Sequence, residues 1–507
     1  MSCKSRLNTQ LLLVFVFFTL FATRFVISAP LEMPDNQPDK PNFVILLTDD
    51  QALCTLGCYG NPSVQTPHID ALAKRGMIFD SHYVTTAICM ASRCNIMTGL
   101  YEYRTGCNFT KDKLPLDLWH QSYPMLLKKH GYRIGFAGKF GFEIQGLDRL
   151  PADSFDMWGG GEGQTSFSTK KNKSMSSYAE KYPHATLSYG AFGRDFVSSS
   201  AHTGQPFCLS ISFKAPHRPV TPDPKFDEIY RNVEFPKPKN FGRAHSHHLA
   251  PQGKTFRQYK RFKEWGYSDR FNEVMRDYHQ LVYAVDQAVG MIVSELESKG
   301  LMENTVIVFT SDNGYMCGSH GYGSKVIPYE ESVRVPLIIC HPGTQHAGAR
   351  CQALTGNIDI PATIFDIAEI ASPNRIDGVS IKPLLESPDQ KIREQLELMN
   401  FWGPVESHYL AVVTEQWKYV YWFHESETVS ATEELFDRKR DPYELANAGL
   451  ATENLDELNS MRKRLDRSAY RIGVESRTSE YRIYKDLFDR QKPWSEKAKL
   501  LQEDSSE

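Results

Sequence analysis

Two pairs of oxygen-bearing residues stand far apart in the chain: Asp49-Asp50 and Asp312-Asn313. They offer hard oxygen ligands and no sulfur or imidazole, a donor set that suits calcium or magnesium rather than zinc. Adjacent carboxylates repel in a buried site unless a cation lies between them. An isolated Asp-Asp pair is more often a turn or a helix cap; the second acidic segment weakens that reading. Cys89 is followed by Arg93, and residues 95–100 can begin a helix. A group at a helix N-terminus gains from the partial positive charge there. A lone cysteine is nevertheless more often buried and inert. Lys139, Lys325 and His217 taken singly are ordinary surface or structural residues.

The elements that must position these residues are legible as apolar runs alternating with helical patterns, the mark of an α/β fold with a largely parallel sheet. Residues 42–48 predict a strand that stops at Asp49-Asp50, and residues 132–137 one that stops at Gly138-Lys139. Residues 206–213 stop just before Pro216-His217, and residues 306–310 stop at Asp312-Asn313; residues 336–340 give a fifth strand. Residues 67–75 and 270–299 have helical spacing and are closed by Gly76 and Gly300. Ligands of open α/β sheets bind beyond the carboxyl ends of the strands. Asp49, Asp50, Lys139, His217, Asp312 and Asn313 could therefore share one crevice. After about residue 395 the texture changes: a hairpin is expected over 409–413 and 417–422, a charged turn segment over 434–445 and a helix over 455–470. The expected organisation is a catalytic domain over 41–395 and a smaller C-terminal α+β domain over 396–507 that contains an antiparallel sheet.

The chain has 507 residues, 41% of them hydrophobic, and a net charge of -3. That balance argues against a nucleic-acid binder, which would show a basic excess; an anionic ligand must be met by a local cluster of bases. Lys4 and Arg6 precede an apolar run over 11–22. This reads as a secretory signal, and the run is too short for a membrane span. A signal peptide is expected over 1–29 and a Pro- and Asp-rich linker over 30–40. The protein is then exported, to a periplasm or the cell exterior, or to a lysosome in a eukaryote, with no stable membrane span. Ten cysteines permit disulfides in such a compartment, but their pairing is not readable from sequence.

The run Cys89-Met90-Ala91-Ser92-Arg93, with Met97-Thr98-Gly99 after it, resembles the signature of the type I sulfatases, the formylglycine-dependent, arylsulfatase-like branch of the alkaline phosphatase superfamily. Ala91 stands where proline is usual. Other motifs fall in the family's order: residues 42–50, Thr66-Pro67-His68-Ile69-Asp70, Gly138-Lys139, Ala215-Pro216-His217-Arg218-Pro219, Ser311-Asp312-Asn313-Gly314, Lys325 with Tyr329-Glu330, and Asp441-Pro442-Tyr443-Glu444. The resemblance implies an alkaline-phosphatase-like α/β fold and hydrolysis of sulfate esters. It implies that a separate maturation enzyme converts Cys89 to formylglycine, and that Asp49, Asp50, Asp312, Asn313 and the modified residue 89 hold one calcium ion. Arg93 would steady the aldehyde hydrate, Lys139 and Lys325 would hold sulfate oxygens, and His217 would assist the leaving oxygen. One hydroxyl of the hydrate would attack sulfur with Asp312 as base, and the second would then expel sulfate. One departure is plain: many members carry a histidine two residues after the lysine of Gly138-Lys139, where this chain has Gly141. The second half-reaction then needs another base.

Residues 151–270 are expected to build the substrate-facing wall, with Trp158, Trp265 and Tyr267 near Arg257, Lys260, Arg261 and Lys263. Aromatic rings can stack on sugars and bases can hold sulfate or carboxylate; a solvated amphipathic helix is the competing reading. His320, a few residues beyond Asp312-Asn313, is a further candidate substrate contact. The expected function is an exported sulfatase acting on a sulfated carbohydrate. The alternatives are a phosphonate or phosphate ester hydrolase of the same superfamily and a catalytically impaired binder of sulfated glycans. The sugar, the linkage and exo or endo action are not written in the sequence.

Overall fold

The computed structural model describes residues 40–504. The expected signal peptide, and the expected linker up to residue 39, lie outside the described residues.

Strand β1 (Asn42–Asp49) is buried over its whole length. Phe43, Ile45 and Leu47 join one apolar cluster while Val44 and Leu46 join another. Side chains alternate across a strand, so apolar residues on both faces mark a central strand covered on both sides. Seven strands complete its sheet: β2 (Met77–Phe79), β3 (Arg133–Lys139), β4 (Met157–Gly161), β5 (Phe207–Pro216), β6 (Thr305–Ser311), β7 (Leu337–Cys340) and β8 (Arg350–Cys351). The spatial order is β4-β3-β5-β1-β6-β7-β2-β8. The five strands from β4 to β6 in that order are mutually parallel, and β7 runs antiparallel to both β6 and β2.

The register aligns the strand ends. Gly138 pairs with Ser212, Ser212 with Leu47, and Leu47 with Thr310. Lys139, Asp49 and Asp312 therefore emerge one or two residues beyond a common line. Strand β5 runs on through Pro216, beyond the expected stop at residue 213, because Phe213 and Ala215 remain buried among core residues.

Helices α1 (Pro67–Arg75), α3 (Ala185–Ala201) and α5 (Phe271–Ser298) cover one face of the sheet, and α2 (Cys89–Thr98) belongs to the other; α4 (Arg257–Glu264) precedes α5. Helix α2 starts at Cys89, six residues before the expected start. Beyond the main sheet, β9 (Leu396–Asn400), β10 (Tyr409–Val413), β11 (Trp417–Trp422) and β12 (Thr432–Asp437) form an antiparallel sheet in sequence order. Helix α6 (Leu455–Glu475) packs on it through Leu458, Met461, Leu465 and Ile472. The expected turn over 434–445 is corrected at its start. Glu434 lies inside β12, fully buried, and accepts hydrogen bonds from Trp422 Nε1 at 2.7 Å and the Ala250 amide at 2.8 Å. Among the described residues, no helix is long and apolar enough to cross a membrane.

Candidate active site

The sheet brings its strand-end residues to one point around Cys89. Cys89 is the first residue of α2, follows Ile88 in extended conformation, and is 2% exposed. Lys325 Nζ lies 3.6 Å from its Sγ. The same ammonium pairs with Asp50 and lies 3.8 Å from Asp49. Lys139 Nζ donates to Asp49 Oδ2 at 2.6 Å. Arg93, one turn into α2, reaches Asp312 Oδ2 with Nε at 2.9 Å and with Nη2 at 2.8 Å. Its Nη1 donates to the Lys139 carbonyl at 2.9 Å and to Ser212 Oγ. Asn313 Nδ2 donates to Asp50 Oδ1 at 2.6 Å, and the Asp50 amide donates to Asp312 Oδ1 at 3.2 Å. His217 Nε2 stands 3.6 Å from Asp50 Oδ2.

Burial decides the electrostatics. It would raise Asp49, but Lys139, His217, Lys325 and Arg93 together hold that carboxyl well below its ordinary value. Asp312 is pushed up to about 6, first by burial and then by the Asp49 charge, against the pull of Arg93. Burial lowers His217 despite the two aspartates that face it, leaving a neutral imidazole at neutral pH. Lys325 is raised because Asp50 and its neighbours outweigh the burial that opposes its charge.

The donor chemistry fits a divalent cation. Ligand atoms of Asp49, Cys89 and Asp312, and separately of Asp49, Asp50 and His217, lie within 4.8 Å of one another. Asp49 Oδ1 and Asn313 Oδ1 are buried acceptors with no hydrogen-bond donor. A hard cation would supply what both oxygens lack.

Three further residues belong to this constellation. Gln164, in the loop after β4, accepts from Lys139 Nζ at 2.9 Å and places Nε2 at 3.9 Å from Cys89 Sγ. Ser212 Oγ donates to the Lys139 carbonyl at 2.7 Å. Lys214 Nζ donates to the Gln164 carbonyl at 3.0 Å. Ser212 and Lys214 had a signal, as polar residues two apart on one side of an otherwise apolar strand; Gln164 had none.

Gly141 has φ +87°, and a Cβ there would lie 2.5 Å from Arg93 Cδ. The Arg93 stem fills the space into which a side chain at 141 would project, while the Gln164 amide faces Cys89. A cleft of about 420 Å³ opens beside the site, lined in part by Met90, Phe109, Lys139, Gly141, Phe142 and Gln164.

Other expected contacts fall elsewhere. His320 is fully buried and is not brought to Cys89. Its Nδ1 donates to the His245 carbonyl at 2.8 Å and its Nε2 accepts from Asn240 at 3.0 Å, so both ring nitrogens are engaged away from Cys89. Trp158 is half-buried and stacks on Phe136 at 5.3 Å, and Tyr267 is buried. Tyr267 forms no substrate wall; Trp265 is half-buried beside Arg218 and Arg261.

A mostly parallel sheet with carboxylates, bases and a helix-borne residue 89 at its strand ends defines a hydrolase of the alkaline phosphatase superfamily. Residues 41–370 match the sulfatase family, and residues 318–471 match the C-terminal region of N-sulphoglucosamine sulphohydrolase. The chain belongs to the sulfatase family and is a sulfuric ester hydrolase. An N-acetylglucosamine-6-O-sulfatase of Bacteroides thetaiotaomicron is 28% identical, over 80% of this chain and 82% of its own. A solved structure in complex with its substrate D-glucosamine-2-N,6-O-disulfate superimposes with a TM-score of 0.70 at 25% identity, covering 89% of this chain and all of that one. A phosphonate monoester hydrolase of Agrobacterium radiobacter shares the fold with a TM-score of 0.66 at 19% identity, covering 84% and 96%.

Proposed function

We propose that this protein is an exported sulfatase that cleaves sulfate esters on a sulfated carbohydrate, with Cys89 matured to formylglycine and a calcium ion held by Asp49, Asp50, Asp312 and Asn313. The observation that carries the reading is the convergence of those four residues with Arg93, Lys139 and Lys325 on the side chain of residue 89. The carbohydrate is inferred from the glucosamine sulfates named for two similar proteins. Export is inferred from the basic and apolar N-terminus.

The Cys89 sulfur stands where the oxygens of a hydrated aldehyde would lie. When present, the matured residue supplies a geminal hydroxyl nucleophile and the cation lowers the charge that builds around it. Arg93 fixes Asp312 close to that point, and Asp312, pushed up to about 6, is suited to take a proton from the attacking hydroxyl. Lys139 and Lys325, both buried, bring two ammonium groups to the place where ester oxygens gain charge. His217, beyond the end of β5, holds Nε2 3.6 Å from Asp50 while its Nδ1 donates to the Arg218 carbonyl, so it can donate to a leaving oxygen only with Nε2 protonated. No imidazole at position 141 is available for the release step; the Gln164 amide can orient the sulfate or the diol but cannot take a proton. The neutral imidazole of His217 is the base left for that step.

Mass spectrometry of the peptide containing position 89 tests the maturation: formylglycine lowers the cysteine mass by about 18 Da, a purely covalent change. An unmodified thiol in protein made with a competent maturation system would sink this mechanism. Parallel rates on 4-nitrophenyl sulfate and 4-nitrophenyl phosphate test the ester class. Faster phosphate turnover would move the protein to the other ester hydrolases of its fold.

A further inference from the structure

Three arginines at the rim of this site have no carboxylate partner among the described residues. Arg257 and Arg261 lie four residues apart in α4, with Trp265 four residues further on, so all three follow one stripe of the chain. The Arg261 guanidinium packs on the Trp265 ring at 4.3 Å, and that of Arg218 packs on the same ring at 4.4 Å. The Arg257 guanidinium packs on Trp402 at 4.8 Å. Like charges at this helical spacing repel, and burial together with Arg257 lowers Arg261. Each guanidinium lies against an indole ring, which engages its face and not its in-plane N–H groups, the donors that take a planar or tetrahedral oxyanion.

The stripe is tied to the nucleophile at three points. Arg218 follows His217, which faces Asp50. Arg261 Nη1 donates to Ser324 Oγ at 3.0 Å, and Ser324 precedes Lys325. Trp402 packs with Phe256, Ile88 and Val326, the chain neighbours of Arg257, Cys89 and Lys325. Trp402 also meets Phe109, a wall of the cleft beside Cys89, at 6.2 Å.

We infer that Arg218, Arg257 and Arg261, presented by Trp265 and Trp402, form a second anion subsite, and that the substrate is a glycan bearing a further sulfate or carboxylate besides the ester that is cleaved. This rests on the proposed sulfatase site for its setting and adds the substrate class. A monosulfated small ester would fill Lys139 and Lys325 and leave half-buried Arg218 and Arg261 and exposed Arg257 without an anion. A multiply charged chain satisfies both sets, and the indole faces suit the apolar side of a sugar ring.

Calorimetric titration of the full chain with sucrose octasulfate, and separately with tetragalacturonate, tests this. The double variant Arg257→Gln/Arg261→Gln is compared with Arg231→Gln/Arg440→Gln, which removes the same charge from exposed positions. At least tenfold weaker octasulfate binding in the first, with the second within twofold of wild type and both melting like wild type, is the expected result. Equal loss in both variants, or in neither, overturns the subsite. Lysines at 257 and 261 keep the charge without the fork and should recover binding only in part; they serve as the measurement if the glutamine variant fails to fold, and full wild-type affinity with them overturns the guanidinium role. Tetragalacturonate binding lost in parallel assigns carboxylate as well as sulfate to the subsite; octasulfate loss alone assigns sulfate. Wild-type hydrolysis of 4-nitrophenyl sulfate is scored separately. If it is absent while the arginine-dependent binding holds, the sulfatase reading fails and the subsite stands.

Discussion

Replacing Gly141 with alanine should damage the site although it adds one methyl group. The residue sits at φ +87°, and the new Cβ would lie 2.5 Å from Arg93 Cδ. Ordinary carbon contact needs ~3.5 Å or more, so the Arg93 stem must retreat by about 1 Å. The guanidinium contacts that now measure 2.9 Å to Asp312 and 2.9 Å to the Lys139 carbonyl would approach 4 Å, outside hydrogen-bond range. The left-handed backbone costs alanine ~1–2 kcal/mol. Separating a buried charge pair costs ~3–5 kcal/mol, of which a shift that keeps some contacts loses part. About 3 kcal/mol in all is a fair expectation, and at ~2 cal/mol/K of unfolding entropy per residue that lowers the melting temperature of a chain this size by about 3 °C.

Activity should fall further than stability, because a misplacement of ~1 Å at a reacting centre can cost ~100-fold. The assay is kcat/KM on 4-nitrophenyl sulfate beside a thermal melt. Gly60 supplies the control, with φ +94° and no atom within 4 Å of its added Cβ. Gly60→Ala should show the backbone cost alone and keep its turnover. Gly141→His, which restores the residue common in the family, should fare no better than alanine, since the same Cβ is present. A Gly141→Ala protein with full turnover and an unshifted melt would refute the claim that Arg93 owns this space.

Removing a bound divalent ion with EDTA should lower the melting temperature and abolish turnover, with both restored by calcium; an ion that binds only the folded state stabilises it by mass action. A melt and rate indifferent to chelation would count against the cation. Lys418, fully buried, pairs with Glu330 at 2.9 Å and with Glu444, whose carboxyl burial pushes up to about 8. Lys418→Met strands the Glu330 carboxylate, which Lys418 holds down to about 2, and should cost ~3–5 kcal/mol in a urea titration at neutral pH, where Glu444 is already largely protonated. The loss should shrink as pH falls from about 4.5 toward 2, the range in which the unfolded chain's glutamate takes up its proton first. His279 is buried against Phe235 at 4.6 Å, and burial pushes it down to about 3. Between pH 6.5 and 3 only the unfolded chain takes up that proton, so the wild type should lose ~1.4 kcal/mol per pH unit on this account as pH falls. His279→Leu removes that slope; a stability difference between the two proteins that stays constant from pH 6.5 to 4 would show the reasoning wrong.

The strand ends were legible because each apolar run stops at a polar residue, and the parallel register does the rest. Helix α2 was harder to read. Ile88 caps it without a side-chain hydrogen bond, and nine of its ten residues are buried, so neither a capping residue nor an amphipathic stripe announces it. Starting at residue 95, the helix could not show that Cys89 and Arg93 lie one turn apart on it. Strand β12 was read as a turn because Glu434 looks solvated in sequence, whereas Trp422 and Ala250 satisfy it in the core. His320 looked close to Asp312 on sequence distance alone, but the chain turns at Cys317, Gly318 and His320 through positive φ and carries it away. Gln164 is placed by three-dimensional folding, and no local pattern in the sequence could have pointed to it.

The charge balance of the site explains how carboxylates and an anionic substrate can share it. Asp49, Asp50 and Asp312 supply three negative charges, and Arg93, Lys139 and Lys325 supply three positive ones. These cancel, burial keeps His217 neutral, and Lys214 behind Gln164 adds one positive charge. A protein-only site of this kind has only a small net attraction for a sulfate ester. A divalent cation adds two positive charges, of which a monoester's single negative charge uses one. A bound cation would therefore strengthen the site's attraction for sulfate, beyond any part in the chemistry. The rim arginines extend that positive field outward, toward the direction from which a polyanionic chain would arrive. The same arithmetic separates two causes of lost activity. Removing the cation should weaken the binding of sulfate itself as a competitive inhibitor. Neutralising Arg257 and Arg261 should spare inorganic sulfate and weaken only ligands long enough to reach both places. A variant of the rim that loses sulfate inhibition as severely as chelation does would mean that the two fields are one site.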